Sequence, residues 1–144
     1  MIAYLDSSAL VAWFDPHSPH HRRVTAWRED AAGAQFAFNR LLQLECGHYF
    51  RRNRGEYAAA ARQAFAQAEA ARRFHFDATS PVELMPQAET LSRQHGSELG
   101  CGFWDLCHVA AAARAGWLFV TADRQQAAAA ELAGVDTVFV GPKP

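Results

Sequence analysis

The sequence has almost no lysine and few cysteines. Lys143 is the single lysine among 14 basic residues, and all the others are arginine. The three cysteines, Cys46, Cys101 and Cys107, form no C-x-x-C pair and match no zinc-binding spacing. This pattern argues against a disulfide framework or a zinc site. It favours buried, reduced thiols in a cytosolic protein.

Long hydrophobic runs are also missing. No apolar stretch approaches the roughly 20 residues that a membrane-spanning helix needs. The N-terminus has no basic segment, and Asp6 interrupts the first apolar run, so no signal peptide is visible. The formal charge of −1 makes no general case for binding to nucleic acid or to an anionic membrane. We therefore expect a cytoplasmic protein without membrane association, folded as one domain over residues 1–144.

Strand-like and helix-like segments alternate along the chain. Strands are predicted at residues 2–5, 35–39, within 74–81, 117–121 and 137–140, and helices at 8–14, 21–31, 40–53, 57–73, 81–95, 103–115 and 124–133. This alternation predicts an α/β fold, with a parallel sheet covered by helices on both faces. Ligands of such sheets bind beyond the carboxyl ends of the strands, so we expect functional residues at the strand-to-helix junctions.

Two acids directly follow predicted strands. Asp6 comes after Ile2–Leu5 and precedes two serines, and Asp123 ends the segment LFVTAD. Either carboxylate would cap the helix that follows, and Gln126 completes a capping-box pattern with Asp123. Each acid therefore has a structural explanation as well as a functional one, and neither position alone decides between them.

Glu45 lies where the helical pattern predicts a buried position. At about 100° per residue it shares a face with Leu41 and Tyr49, inside the apolar stripe. A carboxylate that faces the protein interior needs a partner. Arg40 and Arg52 are candidate partners, and a functional site is the alternative. The sequence leaves both possibilities open.

Asp105 is the only acid in the apolar segment GCGFWDLCHVAAAARAG. A helix that is apolar on all sides is normally buried. Asp105 lies in its first turn, where the helix dipole favours an anion, so a structural role is again available. We expect His108 to be a core histidine with a local partner, and pairing with Asp105 is the alternative.

The four acids are more informative together than singly. Four carboxylates that converge on one cleft repel one another unless something positive lies between them. No basic residue adjoins Asp6, Asp105 or the strand that leads to Asp123. An oxygen-rich cluster of this kind suits Mg²⁺ or Mn²⁺, ions that promote phosphodiester hydrolysis.

In the order and spacing of these acids, the chain resembles the PIN-domain ribonucleases, in particular the VapC-like toxins of type II toxin–antitoxin pairs. The segments that carry the resemblance are YLDSSAL, LLQLECGHYFRR, FWDLCHVAAA and LFVTADRQQAAAAELAGV, and they span essentially the whole chain. Two positions depart from the family pattern: Leu44 before the second acid, and Asn39 where the family often has serine or threonine. All four acids are present.

The resemblance implies a three-layer α/β/α sandwich around a parallel sheet of about five strands. It implies cleavage of single-stranded RNA with Mg²⁺ or Mn²⁺ as cofactor, a homodimer, and a small antitoxin protein as partner. The residues that match the family's catalytic and metal-binding positions are Asp6, Glu45, Asp105 and Asp123, with Ser7 and Thr121 in supporting positions.

Our hypothesis gives the acids two different roles. Asp6, Asp105 and Asp123 bind the ion directly, whereas Glu45 binds it through water or orients the attacking water. Two other functions stay open. One is a Mg²⁺-dependent phosphohydrolase of the doubly wound type, although such an enzyme is expected to end its first strand in an acidic pair rather than in DSS. The other is a non-catalytic interaction module that keeps the PIN fold.

Three arginines are candidate RNA contacts. Arg51, Arg52 and Arg54 form a short basic run where the third helix is predicted to end. Contacts with phosphates would make RNA binding depend on salt. Cations at the end of a helix are also favoured by its dipole, so a purely structural explanation is equally available.

Overall fold

The computed structural model describes residues 1–53 and 55–143. Its strands are β1 (Ile2–Leu5), β2 (Gln35–Asn39), β3 (His75–Asp77), β4 (Leu118–Thr121) and β5 (Thr137–Phe139). Its helices are α1 (Ser7–Phe14), α2 (His21–Asp30), α3 (Arg40–Arg52), α4 (Glu56–Ala70), α5 (Pro81–His95), α6 (Phe103–Ala115) and α7 (Arg124–Leu132).

The five strands form one parallel sheet in the order β3-β2-β1-β4-β5. The chain builds outward from β1 through β2 to β3, and then returns to the other side of β1 to add β4 and β5. The strand order therefore reverses between β1 and β4. In open α/β sheets, the carboxyl ends of the strands at such a switch point border a crevice where ligands bind.

The helices form two groups that cover the sheet. α1 contacts α2, α3 and α4, whereas α5 packs on α6 and α6 packs on α7. The predicted three-layer α/β/α sandwich with about five parallel strands is confirmed. Among the described residues, no helix is both long and apolar enough to cross a membrane.

Small side chains let α6 lie close to the rest of the core. Seven consecutive residues, Leu106–Ala112, are buried, as expected for a helix that is apolar on all sides. The helix stops at Gly116, which has a φ of 68° and so takes the left-handed conformation that glycine adopts without strain. The neighbouring strand β4 begins two residues later, at Leu118.

Two sequence predictions differ from the structure. The fourth helix was predicted to extend to residue 73 but ends at Ala70, because Arg72 has a φ of 51° and turns the backbone out of the helix. The alanine and arginine residues there favour a helix, so local propensity gave no sign of this turn. All three thiols are unpaired, but Cys101 is partly exposed, contrary to our expectation that all three are buried.

Ala110 tests the close packing of α6. Its side chain is fully buried, so Ala110→Leu should overpack the core and lower the free energy of unfolding by about 1–3 kcal/mol. Ala115→Leu at the exposed end of the same helix is the matched control and should change it by less than about 0.5 kcal/mol. Urea denaturation measures both values, and equal effects would contradict the packing described here.

Candidate active site

Asp6 lies at the carboxyl end of the central strand and is fully buried. Its Oδ1 accepts hydrogen bonds from the backbone N–H of Ala9 (3.0 Å) and from the Ser8 hydroxyl (2.7 Å), so Asp6 caps α1. Its Oδ2 accepts a hydrogen bond from the Thr121 hydroxyl at 2.5 Å. The backbone N–H of Asp6 donates to the carbonyl of Val120 at 3.0 Å. These bonds join the ends of β1 and β4 at the switch point.

Thr121 connects Asp6 to the next acid along this edge. The backbone N–H of Asp123 donates to the Thr121 hydroxyl oxygen at 3.0 Å. The Asp123 carboxylate then caps α7, because its Oδ1 accepts from the backbone N–H groups of Gln125 (2.8 Å) and Gln126 (3.1 Å). Asp6 and Asp123 are therefore linked through one threonine.

Gln126 does not complete the capping box predicted with Asp123. Its side-chain amide instead donates to Oδ1 of Asp105 at 3.2 Å. Oδ2 of Asp105 accepts from the backbone N–H of Gly102 at 3.0 Å, so this acid also stabilises the start of α6. Gln126 thus joins α7 to α6 and holds Asp105 near Asp123.

Glu45 is bound by residues from two other elements. Its Oε2 accepts hydrogen bonds from the Ser7 hydroxyl and from Nε2 of His108, the latter at 2.8 Å. The predicted arginine partners are not used: Arg40 donates to Gln43, and Arg52 is an exposed residue of the last turn of α3. The partner that Glu45 needs is a buried histidine.

His108 corrects two expectations from the sequence. It is a fully buried core histidine, but its partners Tyr4 and Glu45 are distant in sequence, and it does not pair with Asp105. It also places an ionisable nitrogen base beside the carboxylate of Glu45. Hydrogen bonds thus connect Asp6, Asp123 and Asp105 through Thr121 and Gln126, and a second group of bonds connects Glu45 to Ser7 and His108.

Burial raises the pKa of the Asp6 carboxyl, although hydrogen bonds from Thr121, Ser8 and the backbone of Ala9 oppose the shift. Burial also raises the pKa of Asp105; the bond from Gly102 opposes this, and the charges of Asp123 and Glu45 add to it. The charges of Asp123 and Glu45 thus both reach Asp105.

Glu45 behaves differently from the other two shifted acids. Partial burial acts to raise its pKa, but the hydrogen bonds from His108 and from the Ser7 hydroxyl outweigh burial and leave the pKa lowered. Glu45 therefore keeps its negative charge more readily than Asp6 or Asp105. The acids share one site but have two kinds of environment.

A cavity of about 430 Å³ borders Glu45 and Ser7. Its other lining residues are Ser8, Val11, Ser18, Pro19, His20 and Tyr49. The cavity gives a ligand direct access to the Glu45 side of the acidic cluster.

The donor atoms suit a hard divalent cation, since the cluster consists mainly of carboxylate oxygens. Within residues 1–53 and 55–143, however, no three His, Cys, Asp or Glu side chains are arranged so that they enclose an ion. The carboxylates are held instead by protein donors. Each carboxylate oxygen has a second lone pair, so a hydrogen bond does not prevent it from also binding a cation.

The predicted RNA-contact arginines lie outside this cluster. Arg51 and Arg52 are exposed in the last turn of α3, two turns beyond Glu45. Arg54 falls outside the described residues.

Comparison with known proteins identifies the family. The family model for the PIN domain matches residues 3–132, which is most of the chain. The chain therefore belongs to the PIN-domain family, a family of nucleases. No curated protein sequence matches the chain.

Solved structures share the fold at low sequence identity. FitAcB from Neisseria gonorrhoeae is 16% identical, with 97% of this chain and 98% of that chain covered and a TM-score of 0.64. VapBC2 from Rickettsia felis, bound to a DNA fragment from its promoter, is 14% identical, with 96% and 98% covered and a TM-score of 0.69. DNA-bound VapBC from Salmonella typhimurium is 13% identical, with 97% and 98% covered and a TM-score of 0.64.

The raised pKa of Asp6 predicts how stability depends on pH. Between the pKa of Asp6 in the unfolded chain, about 3.9, and its raised value in the folded protein, the folded state binds more protons. Stability is therefore lost as pH rises through this window. The difference in stability between Asp6→Asn and the wild type, assayed without divalent ions, should shift by a measurable margin in favour of Asp6→Asn as pH rises from about 4.5 to about 7.

Urea denaturation of both proteins at the two pH values measures this margin. Asp105 makes stability depend on pH with the same sign as Asp6, and Glu45 with the opposite sign. Because both acids are present in the variant and in the wild type, the difference between the two proteins isolates the contribution of Asp6. Asp30→Asn, at an exposed position on α2, is the control and should show no such margin. A difference in stability between Asp6→Asn and the wild type that is equal at both pH values would contradict the effect of burial.

Proposed function

We propose that the chain is a metal-dependent endoribonuclease that cleaves single-stranded RNA and acts as the toxin of a toxin–antitoxin pair. The main support is the position of the acidic cluster, which lies at the carboxyl edge of a parallel sheet, beside the switch point between β1 and β4. Membership of a nuclease family and the likeness to FitAcB and VapBC structures support the same proposal.

The residues of the cluster have separate tasks in this proposal. Asp6, Asp105 and Asp123 would hold Mg²⁺ or Mn²⁺, and the ion would supply Lewis-acid stabilisation of charge on the phosphate and a more acidic water. Glu45, whose pKa is lowered, remains ionised and accepts a hydrogen bond from the attacking water, which orients it. The Ser7 and Thr121 hydroxyls hold the Glu45 and Asp6 carboxylates.

Exposed aromatic rings beside the cluster favour a single-stranded substrate. Phe103 and Trp104 begin α6 directly before Asp105, and their side chains are 37% and 51% exposed. Their ring centroids are 5.9 Å apart. Unpaired bases stack on aromatic rings of this kind, whereas paired bases are already stacked.

Similar structures support a protein partner. The VapBC proteins from Rickettsia felis and Salmonella typhimurium are bound to DNA, the former to a fragment from its promoter. For this chain we propose an antitoxin protein that inhibits the acidic site, and a homodimer as the active form. Arg51 and Arg52 are proposed as phosphate contacts, because they are exposed cations on the helix that carries Glu45.

Cleavage of a labelled single-stranded RNA tests the proposed activity. The wild type should cleave it in the presence of Mg²⁺ or Mn²⁺ and stop when the ion is chelated. Asp6→Asn and Asp105→Asn should each lower the rate by about 100-fold or more, since each removes a charge that the ion requires. Asp30→Asn, at an exposed position on α2, is the control and should leave the rate unchanged.

Two results would reject the proposed activity. Undiminished cleavage by both site variants would assign the activity to other residues or to a contaminant. Hydrolysis of a phosphomonoester such as p-nitrophenyl phosphate, without cleavage of RNA, would instead favour a phosphohydrolase. A wild-type protein that binds RNA but cleaves nothing would favour a non-catalytic PIN-fold module.

Growth of a bacterial host tests the proposed role as a toxin. Induced expression of the wild type should arrest growth, and Asp6→Asn should abolish the arrest while the protein accumulates to the same level. Equal arrest by both proteins would show that toxicity is independent of the acidic cluster. The readout is the growth curve after induction, with protein level measured by immunoblot.

A further inference from the structure

A fully buried imidazole bridges Tyr4 and Glu45. Nδ1 of His108 lies 2.7 Å from the Tyr4 hydroxyl, and its Nε2 lies 2.8 Å from Oε2 of Glu45. Both ring nitrogens therefore have partners, which come from β1 and α3, while His108 itself belongs to α6. The proposed hydrolysis uses Glu45 but gives no task to the two buried rings behind it.

Asn39 fixes the other end of this chain of hydrogen bonds. Its Oδ1 accepts from the backbone N–H of Leu42 at 3.0 Å and thereby caps α3, the helix that carries Glu45. The amide nitrogen of Asn39 donates to the Tyr4 hydroxyl oxygen at 3.3 Å. A backbone requirement thus sets the orientation of the amide. The capping oxygen Oδ1 is 3.5 Å from the same hydroxyl, so His108 Nδ1, at 2.7 Å, is the nearer acceptor for the Tyr4 proton.

The directions of the remaining bonds follow from this orientation. Because the Tyr4 oxygen accepts from Asn39, its single proton is available to donate to Nδ1 of His108. Burial raises the pKa of Tyr4 well above its usual value, so the hydroxyl keeps that proton. A neutral imidazole that accepts at Nδ1 carries its proton on Nε2, the nitrogen that faces Glu45.

Glu45 is restrained on one oxygen only. Among the described residues, the hydrogen bonds to Glu45 come from His108 and Ser7, and both end on Oε2. Nε2 of His108 also lies 3.2 Å from the Ser7 hydroxyl, so the three groups form a compact triangle. Restraining Oε2 fixes the plane of the carboxylate while Oε1 accepts no bond from these residues.

We propose that His108 and Tyr4 are positioning residues for Glu45: Tyr4 selects the His108 tautomer that carries its proton on Nε2, and that N–H holds the Glu45 carboxylate in the acidic cluster. The effect on rate rests on the proposed function, because the position of Glu45 affects hydrolysis only if the cluster is the site of hydrolysis. The selection of the tautomer does not rest on it and can be tested separately.

Imidazole ¹⁵N NMR of the purified protein tests the tautomer without RNA or metal. The resonances of His108 are assigned as those lost in His108→Gln. In the wild type, Nδ1 should show the shift of an unprotonated nitrogen and Nε2 that of a protonated one. In Tyr4→Phe this pattern should change towards a mixture of tautomers. A proton on Nδ1 in the wild type, or an unchanged pattern in Tyr4→Phe, would overturn the proposal.

Kinetics of RNA cleavage test the positioning itself. His108→Asn removes the donor that reaches Glu45 and should lower kcat on the order of 10- to 100-fold with little change in KM, because Glu45 is misplaced but the RNA site is intact. His108→Gln retains an amide N–H near the position of Nε2 and should restore most of this loss. Tyr4→Phe should lower kcat in the wild type but not in the His108→Gln background, since glutamine has no tautomer to select.

Val109→Ala separates positioning from general packing. Val109 is a fully buried neighbour on α6 that takes no part in the hydrogen-bond chain, so this variant should lower the melting temperature and leave kcat unchanged. An equal loss of kcat in Val109→Ala and His108→Asn would reduce His108 to a packing role and overturn the proposal. A wild type that cleaves no RNA would reject the proposed function, and the NMR result would still decide whether Tyr4 sets the His108 tautomer.

Discussion

The buried carboxylate of Asp6 is the constraint on which the arrangement of the site depends. An ionised group without solvent is strongly unfavourable unless hydrogen bonds compensate for the lost water. Here the compensation comes from the first turn of α1 and from Thr121 at the end of β4. The charge can therefore be accommodated only if β1 and β4 are neighbours and end at the same level. The hydrogen bonds of this one side chain therefore link the order of the strands, the start of α1 and the geometry of the site.

The acids of the cluster differ in the surroundings of their carboxyl groups rather than in residue type. Asp6 and Asp105 are in surroundings that favour the protonated form, whereas His108 and Ser7 favour the ionised form of Glu45. Neighbouring carboxyl groups whose pKa values are pushed apart are typical of sites that assign different tasks to similar side chains. This contrast agrees with the two roles proposed for these residues, ion binding and orientation of water.

Much of the fold was predictable from the sequence, because alternating segments and capping residues are local signals. The parallel sheet, most helix limits and the caps at Asp6 and Asp123 follow from such signals. The left-handed turn at Arg72 did not, since neither alanine nor arginine marks a turn.

The site was only partly predictable for a different reason. The sequence identified the acids, but for Glu45 it offered only nearby arginines on the same helix as candidate partners and left a functional site equally open. The actual partner, His108, is 63 residues away, and the contact depends on α3 packing on β2 and α6 packing on β4, the two strands that flank β1. The bond from Gln126 to Asp105 was missed because the same residue fits a local capping pattern. Long-range contacts of this kind become visible only when the sheet order is known.

The burial of α6 has a consequence for how the site can change. Asp105 and His108 lie three residues apart on this helix and contact different parts of the acid cluster, through Gln126 and Glu45 respectively. The seven buried residues Leu106–Ala112 leave the helix no room to rotate or slide on its own. The two contacts therefore move together with α6, and a displacement of this helix that changes one of them also changes the other.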